Sequence, residues 1–195
     1  EDIQKAGYLK SEMISPLVQN DVLSSGGASG KVVMPCEIYS NEKYTFIMMR
    51  SGIASGQMLP FGIAFGKWVK DQGFKDVAIF SSTMSPVKRE RETNRELPEL
   101  FAYGNTARGE AFYEAQGIRK FGWWLGKDKK YPHQELDEIL GGGAGPKLIK
   151  AFNMIDLPTT LYLVFTSGGI DFVGGYTYYN FLKTSLSADN KTLGK

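Results

Sequence analysis

Two short apolar runs constrain the fold of this chain more than any other feature of its sequence. They are DVAIFSST at Asp76–Thr83 and TTLYLVFT at Thr159–Thr166. Runs of this length are typical of strands that are buried on both faces, as in sheets covered by helices on each side. The first run closely follows an amphipathic pattern that begins at Leu59 and Pro60 and stops at Gly73. A helix followed at once by a buried strand predicts an α/β fold.

The remaining pattern extends this prediction to a whole domain. Strand-like runs at Val32–Tyr39 and Tyr44–Arg50, separated by SNEK, predict a β-hairpin, and Thr106–Gln116 has the pattern of a helix. We therefore expect residues 1–195 to form one three-layer α/β domain with a mostly parallel central sheet, to which the hairpin adds antiparallel strands at one side. Residues 1–31 have only weak patterning and are expected to be weakly structured or a partial N-terminal element.

Composition argues against several classes of function. The chain has 23 basic and 21 acidic residues, so its net charge of +2 creates no field that would favour nucleic acid. No apolar run approaches the roughly 20 residues of a membrane span. Cys36 and His133 are the only cysteine and histidine and are far apart in sequence. Too few ligands exist for zinc and no catalytic dyad is visible, so we predict no metal, no cofactor and a buried structural thiol at Cys36 in a reducing compartment.

A glycine-rich segment, LGGGAGPKLIKAF at Leu140–Phe152, raises the question of phosphate binding. A glycine loop that precedes a helix offers free N–H groups and the positive end of the helix dipole. The phosphate-binding loop pattern fails because Pro146 stands before Lys147 and Leu148 replaces the hydroxyl residue, and the dinucleotide pattern fails because it needs glycine or alanine at position 146. A tight turn at Gly141–Gly143 is the preferred interpretation. An α/β enzyme that binds a small phosphate- or nucleoside-like ligand there stays open as the alternative.

Two segments are candidate contact surfaces for another protein. Ser85–Leu100 carries dense charge of both signs, with Arg89 and Arg91 at its centre. Such a segment is typical of a solvated surface, and a contact with a charged partner is the sharper interpretation. The segment that begins at Asp171, a predicted helix cap, has aromatic or apolar residues nearly all round. Such a helix either lies inside the fold or meets another protein with its outer face. Because tyrosine is enriched in the cores of interfaces, we favour the second and expect partner contacts at Phe172, Tyr176, Tyr178 and Tyr179.

The order of these pieces resembles the proteasome assembly chaperone family. The resemblance rests on the strand CEIY, a second strand that ends at Arg50, the helix and strand LPFGIAFGKWVKDQGFKDVAIFSST, the charged loop KRERETNRE, the triple-glycine loop Gly141–Gly143, and a buried strand followed by SGGID and an aromatic helix. It covers roughly Val32–Lys183. Each piece is weakly specific by itself, and their order and spacing carry the resemblance.

The resemblance implies a non-enzymatic scaffold with a nucleoside phosphorylase-like fold. Such a chaperone pairs with a related protein, proteasome assembly chaperone 1, and orders the proteasome α subunits in the forming α ring of the 20S proteasome, in the cytoplasm and also the nucleus. Two departures affect what it implies. The family's usual first strand and helix have no counterpart before Val32, which agrees with a chain that starts late. The C-terminal SLSADNKTLGK lacks the hydrophobic-Tyr-X ending with which some members dock on the α ring.

Overall fold

The computed structural model describes residues 2–16, 19–20, 32–84, 100–121, 136, 139, 141–166 and 172–192. The chain separates into two compact units, Glu1–Phe61 and Gly62–Lys195. No helix in these described ranges is long and apolar enough to cross a membrane.

The described residues of the first unit form a three-stranded antiparallel sheet and a separate pair of strands. The strands described in this unit are β1 Gln4–Tyr8, β2 Gln19–Asn20, β3 Val32–Val33, β4 Cys36–Ser40 and β5 Thr45–Met49. The three-stranded sheet has the order β1-β4-β5, and β2 and β3 form the separate pair. The predicted hairpin is confirmed as β4 and β5, with Ile38 opposite Ile47. Its turn is held by the Asn41 side chain, which accepts hydrogen bonds from the N–H groups of Lys43 at 3.0 Å and Tyr44 at 2.7 Å. The pairing of β1 with β4 was not indicated by the weak patterning of the first residues.

Within the part of the second unit that the structure describes, the strands form a four-stranded mixed sheet. The elements that follow the first sheet are α1 Met58–Asp71, which begins before the boundary between the units, β6 Val77–Met84, β7 Leu100–Gly104, α2 Ala107–Ala115, β8 Arg119–Lys120, α3 Gly145–Asn153, β9 Thr159–Thr166 and α4 Phe172–Thr192. The order is β6-β9-β7-β8. The β6–β9 and β7–β8 pairs are parallel, whereas β7 runs antiparallel to β9. The predicted α/β class is thus confirmed. The prediction of a mostly parallel sheet is not confirmed, because β6 and β9 run in one direction and β7 and β8 run in the other.

Helices cover both faces of the β9 strand. Leu161, Leu163 and Phe165 on one face share a core cluster with Ile149 of α3. Tyr162 on the other face packs in a cluster with side chains of α2 and α4. Because successive side chains of a strand point to opposite faces, the unbroken apolar run of β9 places one set against each layer of helices. β9 is buried over seven of its eight residues, as the sequence predicted.

The other predicted buried strand, β6, lies at an edge of the sheet that the described strands form. It pairs in full register with β9 on one side, and no other strand within the described ranges pairs with it. Ala78 is exposed, and Ile79 and Phe80 are only partly buried. The prediction of burial on both faces was therefore wrong for β6. An apolar run reports hydrophobic side chains, but it does not report how many neighbours the strand has in its sheet.

Candidate interaction surface

The inner face of α4 is attached to the sheet by aromatic packing and by one hydroxyl group. The Phe181 ring lies 4.8 Å from the Tyr162 ring, and the Tyr178 ring meets the Phe80 ring edge-on at 5.2 Å. The Tyr178 hydroxyl donates a hydrogen bond to the backbone oxygen of Ser81 and also contacts that of Tyr162 at 3.0 Å. Burial raises the pKa of Tyr178 well above its usual value, so this hydroxyl stays protonated as a donor. α4 is thus fixed over the β6–β9 pair.

The outer face of α4 carries an exposed aromatic stripe. Phe172 is 80% exposed, Tyr176 is 66% exposed and Tyr179 is 59% exposed. The Tyr176 and Tyr179 rings stack on each other, with centroids 6.3 Å apart and planes 26° apart. Gly175 is exposed between Phe172 and Tyr176, and a Cβ added there would meet nothing within 4 Å. We call Phe172, Gly175, Tyr176 and Tyr179 the outer stripe.

The structure separates Tyr178 from the other three predicted contact residues. Residues at spacings of three and four share one face of a helix, which brings Phe172, Tyr176 and Tyr179 together. Tyr178 follows Tyr176 by two positions and therefore lies on the opposite side, where it packs on Phe80. Its role is to hold α4 on the sheet, and it does not belong to the outer stripe.

The glycine loop packs closely against the carboxyl end of β6. Gly141, Gly142 and Gly143 all have positive φ, at 81°, 72° and 54°. A Cβ on Gly142 would lie 2.7 Å from the backbone oxygen of Ser82, and one on Gly145 would lie 2.8 Å from the Ser81 side chain. These distances are too short for any side chain, so glycine is needed here for backbone conformation and close approach.

The backbone groups of the glycine loop are partly used within the protein. The Ser81 hydroxyl donates to the Gly142 oxygen at 2.5 Å, and the Gly145 N–H points to the same oxygen at 3.2 Å. Pro146, in the first turn of α3, has no N–H, and both Gly145 and Pro146 are buried. The geometry favours the tight-turn interpretation of Gly141–Gly143 over a phosphate site.

A buried carboxylate in the first unit was not singled out by the sequence. Glu37 is 2% exposed, and it accepts hydrogen bonds from the side chains of Lys5, Tyr39 and Arg50 and from the Met34 N–H. Burial by itself would raise the pKa of Glu37, but these four donors outweigh burial and lower it to about 2. The only local signal is an acidic residue inside a strand run. The cations come from β1 and from the residue after β5, too far along the chain for a local pattern to connect them.

Cys36, next to Glu37, is buried and is a free thiol, as predicted. Burial, and after it the negative charge of Glu37, raise the pKa of the Cys36 thiol. A thiol with a raised pKa is a poor nucleophile, so this environment supports a structural role. Among the described residues no group of three or more His, Cys, Asp and Glu side chains could hold a metal ion.

Several predicted features lie outside the described residues. They are the charged segment with Arg89 and Arg91, the histidine His133 and the cap Asp171. The interpretation of Arg89 and Arg91 as contacts for a charged partner stays a prediction.

Comparisons with known proteins place this geometry in a class. No family model matches the chain. In fold it is similar to a protein of unknown function from Thermoplasma acidophilum, with a TM-score of 0.65, 16% identity and coverage of 94% of this chain and 64% of that one. It is also similar to Pyrococcus furiosus PbaA, an archaeal homolog of proteasome-assembly chaperone, with a TM-score of 0.58, 14% identity and coverage of 85% and 61%. The chain thus spans less than two thirds of the length of these two structures. A monoclinic form of PbaA gives a TM-score of 0.59 at 12% identity, with coverage of 98% and 77%.

The fold is therefore that of the proteasome-assembly-chaperone homologues. In sequence the chain is 25% identical to proteasome assembly chaperone 2 of Nematostella vectensis, over 95% of this chain and 78% of that protein. The resemblance drawn from the order of the motifs is confirmed by both comparisons. Assembly of other proteins is a non-enzymatic role, so these relatives agree with the expectation that the chain is not an enzyme.

Proposed function

We propose that this protein is a chaperone of 20S proteasome assembly. The observation that carries the proposal is the 25% identity to proteasome assembly chaperone 2 over 95% of the chain, together with the fold shared with archaeal homologues. In the proposal, the chain pairs with proteasome assembly chaperone 1, and the pair scaffolds the α ring and prevents off-pathway association of α subunits. It acts in the cytoplasm and also in the nucleus. The nucleoside phosphorylase-like fold belongs to the same proposal.

The outer stripe of α4 supports a function in protein–protein contact. Exposed aromatic side chains that form a contiguous group are unusual on the surface of a protein that works alone. Tyrosine and phenylalanine are enriched in interface cores, where a few buried anchors provide most of the binding energy. The sheet already fixes α4 through Tyr178 and Phe181, so Phe172, Tyr176 and Tyr179 are presented on a rigid support.

No observation favours the enzyme alternative. Gly142 and Gly145 contact β6 so closely that they leave no room for a side chain, and the backbone oxygen of Gly142 is bound by Ser81. A phosphate cradle needs N–H groups that point to open space. The alternative predicts a rise in thermal stability with phosphate or nucleosides that disappears when Gly143 is made bulkier, and the chaperone proposal predicts no such rise.

Co-expression with proteasome assembly chaperone 1 tests the proposal. We expect a stable one-to-one complex by sizing with mass measurement, and we expect this complex to bind α subunits. The variant Tyr176→Ala should weaken the complex, whereas Thr184→Ala, at an exposed position on the same helix outside the outer stripe, should not. A chain that binds neither the second chaperone nor α subunits would contradict the proposed function.

A further inference from the structure

The positions of the outer stripe are symmetric about its midpoint, and the two side chains next to that midpoint are complementary in size. Along the helix the outer stripe runs large, small, large, large, with Phe172 and Tyr179 at its ends and Gly175 and Tyr176 at its centre. The midpoint falls between Gly175 and Tyr176. If a second copy of α4 packs antiparallel across this point, Phe172 lies opposite Tyr179 of the second copy and Gly175 lies opposite Tyr176 of the second copy.

Gly175 has no explanation within a single copy of the chain. It has no positive φ that would demand glycine, and a Cβ added there would meet nothing within 4 Å. Glycine in the middle of a helix is unfavourable compared with alanine, so Gly175 lowers the stability of the helix. No contact within a single copy of the chain requires glycine at this position. The neighbouring Gly174, in contrast, is buried within the protein. Gly175 leaves a notch between the exposed rings of Phe172 and Tyr176.

The antiparallel arrangement fills this notch with a ring. Tyr176 of each copy would enter the space above Gly175 of the other. The two helices could then approach closely, because the side-chain ridge of one helix packs into the groove of the other. A two-fold interface requires a self-complementary patch, and the outer stripe meets that condition with two aromatic pairs and two ring-in-notch contacts. A parallel arrangement would instead place glycine on glycine and leave a void. No charged residue lies between Phe172 and Leu182, so a second copy brings no like-charge repulsion to the contact.

We propose that the outer stripe of α4 binds the outer stripe of a second copy of this chain in an antiparallel two-fold contact. This self-association goes beyond the proposed function, because it concerns the chain in the absence of any other chaperone. A stripe of four residues on each side is small compared with the interface of a permanent dimer, so the association is weak and reversible.

Sedimentation of the full chain over concentrations from about 1 to 100 µM tests the contact, since weak associations of proteins have dissociation constants in the micromolar range. We expect a monomer–dimer equilibrium. Gly175→Leu should raise the dissociation constant at least about tenfold because it fills the notch, as for other central interface residues. The same variant should leave the unfolding temperature unchanged or higher, because leucine is the better helix former. Thr184→Leu adds the same side chain at an exposed position outside the outer stripe and should leave the dissociation constant unchanged. A chain that stays monomeric throughout, or a Gly175→Leu variant that dimerises like the parent, overturns the proposal.

Disulfide cross-linking tests the direction of packing. A mixture of Phe172→Cys and Tyr179→Cys chains should give cross-linked dimers under mild oxidation, whereas either variant alone should not. In the antiparallel arrangement, two copies of position 172 are about 10 Å apart along the helix axis, beyond the reach of a disulfide. Cross-linking of Phe172→Cys with itself, or none in the mixture, overturns the antiparallel contact. Every variant also contains the buried Cys36, so the variants oxidised alone show any cross-linking that Cys36 itself causes.

Discussion

Replacing Glu37 by glutamine should remove a large part of the acid sensitivity of the first unit. Glu37 is held in its charged form by Lys5, Tyr39, Arg50 and the Met34 N–H. Glutamine keeps the shape of the side chain but has no charge and cannot titrate. At neutral pH the variant loses two charge-assisted bonds and leaves two cations without their anion, so it should be less stable than the parent.

The magnitude follows from the pKa of Glu37, which is lowered from an ordinary 4.5 to about 2. A difference of this size corresponds to about 3 kcal/mol of unfolding free energy. The side chains of Lys5 and Arg50 are 42% and 36% exposed, so solvent screening reduces the benefit, and we expect about 2 kcal/mol. Because the folded pKa lies below the unfolded value, this stabilisation is complete above about pH 5 and is lost as the pH falls toward 2.

Two measurements check this reasoning. Urea unfolding between pH 7 and pH 2.5 should show the parent losing more stability than Glu37→Gln over the acidic range, and the difference between the two curves isolates Glu37. The side-chain carboxyl carbon of Glu37, assigned by its absence in the variant, should titrate near pH 2 by NMR. Glu42→Gln, on the exposed turn of the hairpin, is the matched control and should follow the parent. A Glu37 carboxyl that titrates near its ordinary value, or parallel stability curves, would refute the argument.

Three further substitutions test the packing of the second unit by urea unfolding. Tyr178→Phe removes the hydroxyl that binds Ser81 and should cost about 1–2 kcal/mol, whereas Tyr179→Phe on the exposed face should cost almost nothing. Gly142→Ala should lower the stability of the protein more than Gly143→Ala does. Both positions have a positive φ, but a Cβ at position 142 would lie 2.7 Å from a backbone oxygen, whereas a Cβ at position 143 would have no atom within 4 Å. Asn105→Ala should cost about 1–3 kcal/mol, because its side chain accepts from the Thr159 N–H and donates to the Leu157 oxygen. Equal stabilities within either matched pair would contradict the geometry.

Local patterns predicted the elements that depend on local chemistry. The predicted helix is confirmed as α1, although it begins at Met58, two residues before Pro60, and Gly73, with a φ of 76°, follows its end as the sequence indicated. The turn of the hairpin was also predictable from local chemistry, because the side chain of Asn41 accepts hydrogen bonds from the N–H groups two and three residues further on. These signals are complete within a few residues, so no knowledge of the fold is needed to interpret them.

Features that depend on distant pairing were not predictable in the same way. The runs that form β6 and β9 look alike in sequence, yet among the described strands β9 has neighbours on both sides and β6 has a neighbour on one side only. The direction of β7 against β9 depends on the chain that connects them and not on the residues of either strand. Glu37 forms ion pairs with Lys5 and Arg50, and the sequence around Glu37 does not indicate these distant partners. The resemblance to a family provided the order of elements, but not these pairings.

The aromatic helix shows why composition and exposure have to be separated before an interface is assigned. Its pattern of aromatic residues all round is compatible with complete burial and with a partner on one side. Phe80 and Tyr162 decide between these possibilities, because their rings occupy only the face that carries Tyr178 and Phe181. A substitution on that face changes folding, and any effect on a partner would be indirect. Tyr176 and Gly175 are exposed on the other face, so substitutions there should leave the fold intact, and a loss of association that they cause would report the contact itself.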